Sequence, residues 1–209
     1  EVRRSPSGSR GRSERTRGSS AKRPEERAIR SGCRTLGLKP RLPVAFVTNS
    51  LNRNSDKAAQ LSAMLGVQVT ADQMIQAQGP LEVFNALHDK FCLLVGQGKI
   101  YDIAEELGFK NVCTIEDIAD AYPLLDVVDH DNRKKISTEG YVEKEFPKVE
   151  AVLLLGEPKR WESSLQILID VLRSEGSPNQ SPSSPAPAKQ IPVVACNMDL
   201  HFQHSAPMP

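Results

Sequence analysis

The sequence predicts a three-layer α/β fold, because apolar strand-like runs alternate with helical patterns from residue 43 onward. Two of these runs, FCLLV at residues 91–95 and EAVLLLG at residues 150–156, have the length and composition of buried strands. A segment with helical spacing of apolar residues follows each of them. Strand and helix in alternation are typical of a parallel sheet covered by helices.

The first predicted strand, residues 44–47, leads into a helix at 54–65 that Gly66 should end. We expect Ala58, Leu61, Met64 and Leu65 on its buried face. The other predicted elements are an extended piece at 67–69, a helix at 80–87 that Pro80 begins, a strand at 91–95, a helix at 100–107 ended by Gly108, a strand at 112–114, a helix at 115–122, a strand at 150–156, a helix at 161–172 and a last strand at 191–199.

The helix at 161–172 carries large apolar residues at helical spacing, and we expect them to face the core. Trp161 should anchor the helix there. The neighbouring Glu157 and Arg160 are candidates for a surface beside it. The apolar set is Trp161, Leu165, Leu168, Ile169 and Leu172.

Charge divides the chain into two unlike parts. Residues 1–40 hold 12 Lys and Arg against 4 Glu, which leaves 15 basic and 22 acidic residues for the remainder. Such a polar segment cannot bury enough apolar surface to offset the entropy of ordering, so a disordered basic tail is predicted. Its Arg- and Ser-rich composition is also typical of a mitochondrial transit peptide, and a basic run can bind nucleic acid, although we regard that as unlikely here. Residues 174–190, rich in Ser and Pro, predict a flexible loop.

The cysteines Cys33, Cys92, Cys113 and Cys196 show no CxxC spacing. Cys92 and Cys113 lie in apolar runs, where a free thiol packs as a small hydrophobic group. This pattern favours a reducing compartment over a disulfide framework. No apolar run approaches the 18 residues of a membrane span, so none is expected.

The first strand ends on Thr48 and Asn49, a hydroxyl and an amide. Ligands of open α/β sheets bind outside the carboxyl ends of the strands, so this pair is a candidate anion site. The same pair could instead cap the following helix. The turn VGQGK at residues 95–99 lacks the third glycine of a dinucleotide fingerprint, which favours a simple strand–helix turn.

Two further groups are weaker candidates for metal ligands. Asp126, Asp129, His130 and Asp131 lie in a charged irregular segment, where a solvated loop is favoured. His201 and His204 have no further clear ligands beside them, so no metal site is predicted.

Four segments together resemble the haloacid dehalogenase-like hydrolases. The run VAFVTNSLNRNSDKAAQLSAMLGVQVTADQMIQA, residues 44–77, resembles the Thr-Asn motif region of that superfamily. The runs FCLLVGQGKIYDIAEELGFKNV, VEAVLLLGEPKRWESSLQILIDVL and PVVACNMD resemble parts of the large α/β cap of its NagD-type branch. The resemblance spans residues 43–203. It implies a partial Rossmann-like hydrolase core at 41–74, a cap at 75–195 and a return to the core at 196–209.

In such hydrolases an aspartate attacks a phosphorylated small molecule, and Mg²⁺ offsets the charge of the phosphate. The resemblance implies that Thr48 binds a phosphoryl oxygen, with Asn49 beside it. Asn197 and Asp199 match the end of the cap and would face the cleft, although the same pair could simply form a turn. A mitochondrial location is implied by the resemblance; otherwise the cytoplasm is expected.

The nucleophilic aspartate of the family lies upstream of the Thr-Asn strand, yet no aspartate precedes Asp56. Its lysine and acidic metal motif should follow the segment around Asp199, and only ten residues remain there. We therefore expect a chain without a catalytic residue, metal site or cofactor, and without activity. The alternatives are a non-catalytic module that binds a protein through an uncovered core face and, less favoured, a nucleic-acid binder acting through the basic tail.

Overall fold

The computed structural model describes residues 43–131, 136, 140, 144–180 and 189–199. By its contacts the chain divides into Glu1–Pro43 and Val44–Pro209, and every element below belongs to the second unit. The predicted basic tail, Cys33, His201 and His204, and residues 181–188 of the Ser/Pro-rich segment lie outside the described residues.

Six strands and five α-helices are named here in chain order. They are β1 Phe46–Thr48, α1 Asn54–Leu65, β2 Met74–Gln76, α2 Asn85–His88, β3 Phe91–Val95, α3 Ile100–Glu106, β4 Asn111–Thr114, α4 Ile115–Ala121, β5 Ala151–Leu154, α5 Trp161–Arg173 and β6 Val193–Ala195. Two short 3₁₀ helices, Ala71–Gln73 and Gly79–Val83, precede β2 and α2.

Four strands form a parallel sheet in the order β4-β3-β5-β6. The central pair is β3 and β5, in which Leu93 lies opposite Val152. Residues of both strands are almost wholly buried, as expected for a parallel sheet covered on both faces.

Different helices cover the two faces of this sheet. Leu93 and Val95 of β3 pack in one apolar cluster with residues of α4 and α5. Cys92 and Leu94, which alternate with them, pack in a second cluster with residues of α3 and α2. The predicted three-layer α/β architecture is therefore present.

The positions of α3 and α5 follow from the handedness of βαβ connections. The connection from β3 to β4 runs toward one edge of the sheet, and the connection from β5 to β6 runs toward the opposite edge. Right-handed connections that run in opposite directions require their helices on opposite faces. Accordingly, α3 contributes to the Cys92 cluster and α5 to the Leu93 cluster.

A second sheet contains β1 and β2, paired in parallel with Thr48 opposite Gln76. The predicted helix at 54–65 is confirmed, and Gly66 ends it in the left-handed conformation with φ of 67°. Ala58 and Leu65 are buried as expected, but Met64, expected on the same face, is 61% exposed. The first strand lies at Phe46–Thr48, slightly later than predicted, and the segment expected as one helix at 80–87 is a 3₁₀ helix followed by α2. The division between core and cap near residue 74 stays a prediction.

The prediction for the buried face of α5 was wrong for three of its five residues. Trp161, Leu165 and Ile169 are 59%, 51% and 45% exposed. The buried residues are instead Ser163, Ser164, Ile167 and Val171, while Leu168 and Leu172 pack at the margin of the core. The helix has apolar residues on two faces, and the smaller side chains lie inward.

The described start of the Ser/Pro-rich segment is not the flexible loop that was expected. Val149 N–H donates to Gly176 O at 2.9 Å, and Gly176 N–H donates to Val171 O at 2.8 Å. A Cβ at residue 176 would lie 1.9 Å from Val149 O, and φ there is +95°, so only glycine fits this turn. Residues 174–180 are thereby fixed against the segment that leads into β5.

No helix within the described ranges combines the length and hydropathy that crossing a membrane would require.

The two faces of α5 can be distinguished by a matched pair of substitutions. We expect Ile167→Ala to lower the free energy of unfolding by about 2–5 kcal/mol, because it removes a fully buried side chain and leaves a cavity. Ile169→Ala on the outer face should cost less than about 1 kcal/mol. Urea unfolding followed by circular dichroism measures both values, and equal losses would contradict this placement of the helix.

Candidate functional site

Thr48 and Asn49 stand at the carboxyl end of β1, where the chain turns toward α1. Neither caps that helix: its N-cap residue is Arg53, which makes no side-chain capping bond. The capping interpretation of the Thr-Asn pair was therefore wrong. Both side chains are available for other contacts at the strand end.

A network of hydrogen bonds fixes the turn after β1. Ser50 N–H donates to Thr48 Oγ1 at 3.2 Å, and Ser50 Oγ donates to Gln76 Oε1 at 3.3 Å. The amide of buried Gln76 donates in turn to Asn52 O at 2.7 Å and to Asn54 Oδ1 at 2.8 Å. Because Gln76 pairs with Thr48 across the two strands, β2 positions the whole turn through one side chain.

Asn49 reaches the far end of the chain. Its Nδ2 donates to Asp199 Oδ2 at 2.6 Å, although 150 residues separate the two. Asp199 N–H donates to Asn197 Oδ1 at 2.9 Å, so the predicted turn at this pair is present. The structure thus brings Asn49, Asn197 and Asp199 together, with Thr48 one residue behind them.

Asn49, Asn197 and Asp199 border a cleft of about 510 Å³. Its other walls come from the carboxyl ends of β3 and β5, represented by Gln97 and Glu157. The strand order changes direction between β3 and β5, and crevices at such a point are the usual ligand sites of open α/β sheets. The remaining lining residues are Ser50, Leu51, Leu155 and Gly156.

Leu51 joins the turn after β1 to the large sheet. It packs against the cluster that contains Leu94 and Leu155. A Cβ at Gly156 would lie 3.0 Å from Leu51 Cδ2, so the glycine leaves room for this close approach. Leu51 therefore sets how near the Thr48 turn lies to the ends of β3 and β5.

Hydrogen-bond acceptors and amides dominate the polar part of the cleft. Glu157 and Asp199 contribute carboxylates, while Asn49, Gln97 and Asn197 contribute amides. Among the described residues that line it there is no lysine or arginine. An anion entering this cleft would gain hydrogen bonds but no direct ion pair, and it would meet two negative charges.

The family resemblance implies Mg²⁺, which needs several oxygen ligands in near-octahedral geometry. Within the ranges that the structure describes, no group of three or more His, Cys, Asp and Glu side chains is placed to hold a metal ion. The donor set present does not fit Mg²⁺.

The acidic segment after α4 is built differently from the solvated loop that was favoured. Asp126 is buried, and its carboxylate accepts from the N–H groups of Val128 and Asp129. Asp129 forms an ion pair with Arg160 at 3.0 Å. The segment is thereby fixed at the start of α5, away from the cleft.

Ion pairs join α1 to α3 at the border of the two sheets. Arg53 Nε lies 2.5 Å from Glu106 Oε1, and Lys99 Nζ lies 2.9 Å from Asp56 Oδ2. The hydrogen bond from Lys99 lowers the pKa of Asp56. These charges are solvent-exposed, so each pair contributes little free energy but helps to set the position of α1.

The thiols in the described part of the chain are free. Burial raises the pKa of Cys92 and of Cys196 to about 11, and that of Cys113 to about 12. Cys92 and Cys113 pack in the core as predicted. Such thiols stay protonated near neutral pH, so they are not nucleophiles in this arrangement.

Comparison with known proteins shows a similarity that includes this strand end. Residues 26–110 match the family model of the haloacid dehalogenase-like hydrolases. This part of the chain is similar to a haloacid dehalogenase-like hydrolase. The match supports membership of that family and includes β1, the Thr-Asn turn, β3 and α3.

The mitochondrial hydrolase YKR070W of Saccharomyces cerevisiae is 26% identical to this chain over 168 residues. The match covers 77% of this chain and 46% of the yeast protein. The chain thus spans less than half the length of that relative.

Part of the candidate site was not named from the sequence. Ser50 and Gln76 act through a strand pairing that the sequence does not specify, and Gln97 seemed to be only a turn residue. The position of Gln97 directly after a buried strand was the available signal. Glu157, considered as a surface residue, has the same position after β5.

The contact between Asn49 and Asp199 can be tested by introducing a second carboxylate. We expect Asn49→Asp to separate the two turns at pH 7 by like-charge repulsion of roughly 1 kcal/mol, a shift of about fivefold in the population in contact. Lowering the pH to about 4 protonates one carboxyl group and restores the bond, because proximity to a like charge raises its pKa. Backbone ¹⁵N relaxation of residues 196–199 measures the mobility.

Asp199→Asn is the matched control, since an amide at residue 199 can still accept from Asn49. Unchanged mobility of residues 196–199 in Asn49→Asp at pH 7 would show that the contact does not hold the turns together.

Proposed function

We propose that residues 44–199 form the phosphate-side strand end and the cap of a phosphohydrolase, with the cleft between β1, β3, β5 and β6 as the substrate site. The observation that carries this proposal is the bond from Asn49 to Asp199 across that cleft. It joins the Thr-Asn turn of a family-matched segment to the cap-end residues that the resemblance assigned to the same site.

The proposed roles follow from the geometry of the described side chains. Thr48 Oγ1 now donates to Ser50 Oγ at 3.2 Å, a long bond that a phosphoryl oxygen could replace. Asn49, on the cleft side, would orient the same group through its amide, while Asn197 and Asp199 contact the remainder of the substrate. Leu51 and Leu155 keep one wall of the cleft apolar.

We further propose that the 209-residue chain does not itself hydrolyse phosphate esters. Aspartyl-phosphate chemistry needs a carboxylate upstream of the Thr-Asn strand, and residues 1–55 contain no aspartate. Asp199 is bonded to Asn49 on the cap side and is no substitute in that position. The family chemistry would supply Mg²⁺ to neutralise the phosphate, and the described donors do not form that site.

Titration with inorganic phosphate tests the binding role. Neutral hydrogen bonds net about 1 kcal/mol each, so we expect a dissociation constant weaker than about 1 mM, with amide shifts confined to residues 48–50. Thr48→Val removes the hydroxyl with little change of shape and should abolish the shifts. Thr70→Val, at the N-cap residue of the 3₁₀ helix before β2, should leave them unchanged.

The same proteins test the missing chemistry. We expect no Mg²⁺-dependent hydrolysis of p-nitrophenyl phosphate above background. Turnover that is lost in Thr48→Val would refute the proposed inactivity while supporting the site; shifts that persist in Thr48→Val would refute the site.

At a finer level we propose membership of the NagD-type large-cap branch, supported by the runs at residues 91–112, 149–172 and 192–199. The segments AYPLLDVVD, LLLGEPKRWESSLQILIDVL and NMDL in combination further resemble haloacid dehalogenase-like hydrolase domain-containing protein 5, the cat eye syndrome critical region hydrolase-like protein. A mitochondrial location is also proposed, because the yeast relative is named a mitochondrial hydrolase and residues 1–40 are basic and acid-poor. Cell fractionation of the tagged chain decides the location.

A second candidate function is that of a protein-interaction module. It is favoured by the outer face of the β1–β2 sheet, where Val47 and Ile75 lie opposite each other and are 76% and 50% exposed. Apolar residues on an uncovered parallel sheet usually pack against another layer. The partner would be a polypeptide that offers an apolar helix or strand to this sheet.

This alternative predicts that Val47→Lys abolishes the capture of a partner protein while Val47→Ile retains it. Pull-down from cell extract followed by mass spectrometry measures capture. A set of bound proteins that is identical for wild type and Val47→Lys would exclude the sheet as the binding surface.

A further inference from the structure

The outer face of α5 is the second large exposed apolar surface in the described part of the chain. Its exposed residues are Trp161, Glu162, Leu165, Ile169 and Arg173. The three apolar residues follow one another at i, i+4 and i+8, which places them in a single row along the helix. These three residues form a solvent-exposed face of α5. Ile167 and Val171, on the opposite side of the helix, pack in the core.

The loop before α5 extends this row. Val127, itself half-exposed, donates from its N–H to Gln166 Oε1 at 3.3 Å, and Gln166 Nε2 donates to Leu125 O. The loop is thus held to the side of the helix. Together, α5 and this loop form a surface about 20 Å long, the length of a 13-residue helix.

The charges at the two ends of the row are opposite. Glu162 lies in the first turn of α5 and Arg173 in the last, and only apolar residues are exposed between them. When two copies of such a helix pack antiparallel about a two-fold axis near residue 167, Glu162 of each meets Arg173 of the other. In the same register Leu165 meets Ile169, so the row is complementary to itself in both charge and polarity.

We propose that α5 is the contact surface of a two-fold symmetric dimer of this chain. A second copy is the occupant that the charge pattern selects, since an acidic end, an apolar centre and a basic end match their own antiparallel image. The area that one helix and one loop can bury is smaller than the roughly 800 Å² per partner of a standard interface, so we expect a weak dimer. This inference does not depend on the phosphate chemistry of the cleft.

Trp161 and Leu165 supply the main apolar contacts of the dimer. Aromatic side chains contribute much of the energy of many interfaces, and Trp161, at the end of the row, would pack beside Arg173 of the second copy as a cation–π pair. The exposed indole should therefore move from water to an apolar setting as the concentration rises. Its fluorescence emission reports this shift to shorter wavelength.

Sedimentation equilibrium of the full chain tests the proposal. We expect a concentration-dependent monomer–dimer equilibrium, weakened at least about tenfold by Leu165→Glu. Met64→Glu changes a comparably exposed apolar residue on α1 and should leave the equilibrium unchanged. Thermal unfolding by circular dichroism shows that both variants remain folded.

A charge-exchange experiment separates this contact from any other association. Glu162→Lys and Arg173→Glu should each reduce self-association, because each places like charges opposite one another twice. An equimolar mixture of the two variants should restore it, since every pair is then Glu–Arg or Lys–Glu.

The proposal is overturned if the wild type stays monomeric at the highest soluble concentration. It is also overturned if Leu165→Glu associates as strongly as wild type, or if the mixture associates no more than the separate variants.

Discussion

Burial of the β3–β5 pair on both faces is the constraint on which the rest of the structure depends. Cys92, Leu93 and Leu94 lie wholly within the sheet, so each face must be covered by helices. The chain leaves the two central strands in opposite directions, and the hand of the connections then places α3 and α5 on opposite faces. The carboxyl ends of both strands meet at one edge, where the cleft opens.

A buried polar side chain organises the smaller β1–β2 sheet and the turn after β1. Gln76 is buried, and burial of an amide is unfavourable unless its hydrogen bonds are made. Its bonds to Ser50, Asn52 and Asn54 meet that requirement and at the same time fix the turn that carries Thr48. The side chain of Gln76 therefore both fixes the conformation of the turn after β1 and stabilises the β1–β2 pair.

Local sequence was sufficient where local physics decides the structure. The α1 helix and β3 have the predicted bounds, because Gly66 ends the helix and a short apolar run between polar residues specifies a buried strand. It was insufficient for α5, whose two faces are both apolar; the small Ser163 and Ser164 allow close packing, and no periodicity reveals that. The contact between Asn49 and Asp199 joins residues 150 positions apart and requires the fold.

The absence of a side chain at Gly156 affects the position of the turn after β1. Leu51 rests against it, and Leu51 belongs to the turn that also carries Asn49. Because residue 156 has no Cβ, Leu51 can pack directly against it, and the turn after β1 lies correspondingly close to the end of β5. A Cβ at this point would lie 3.0 Å from Leu51 Cδ2, so the Leu51 side chain or the turn that carries it would have to shift by a few tenths of an ångström, although every polar group of the site would remain the same.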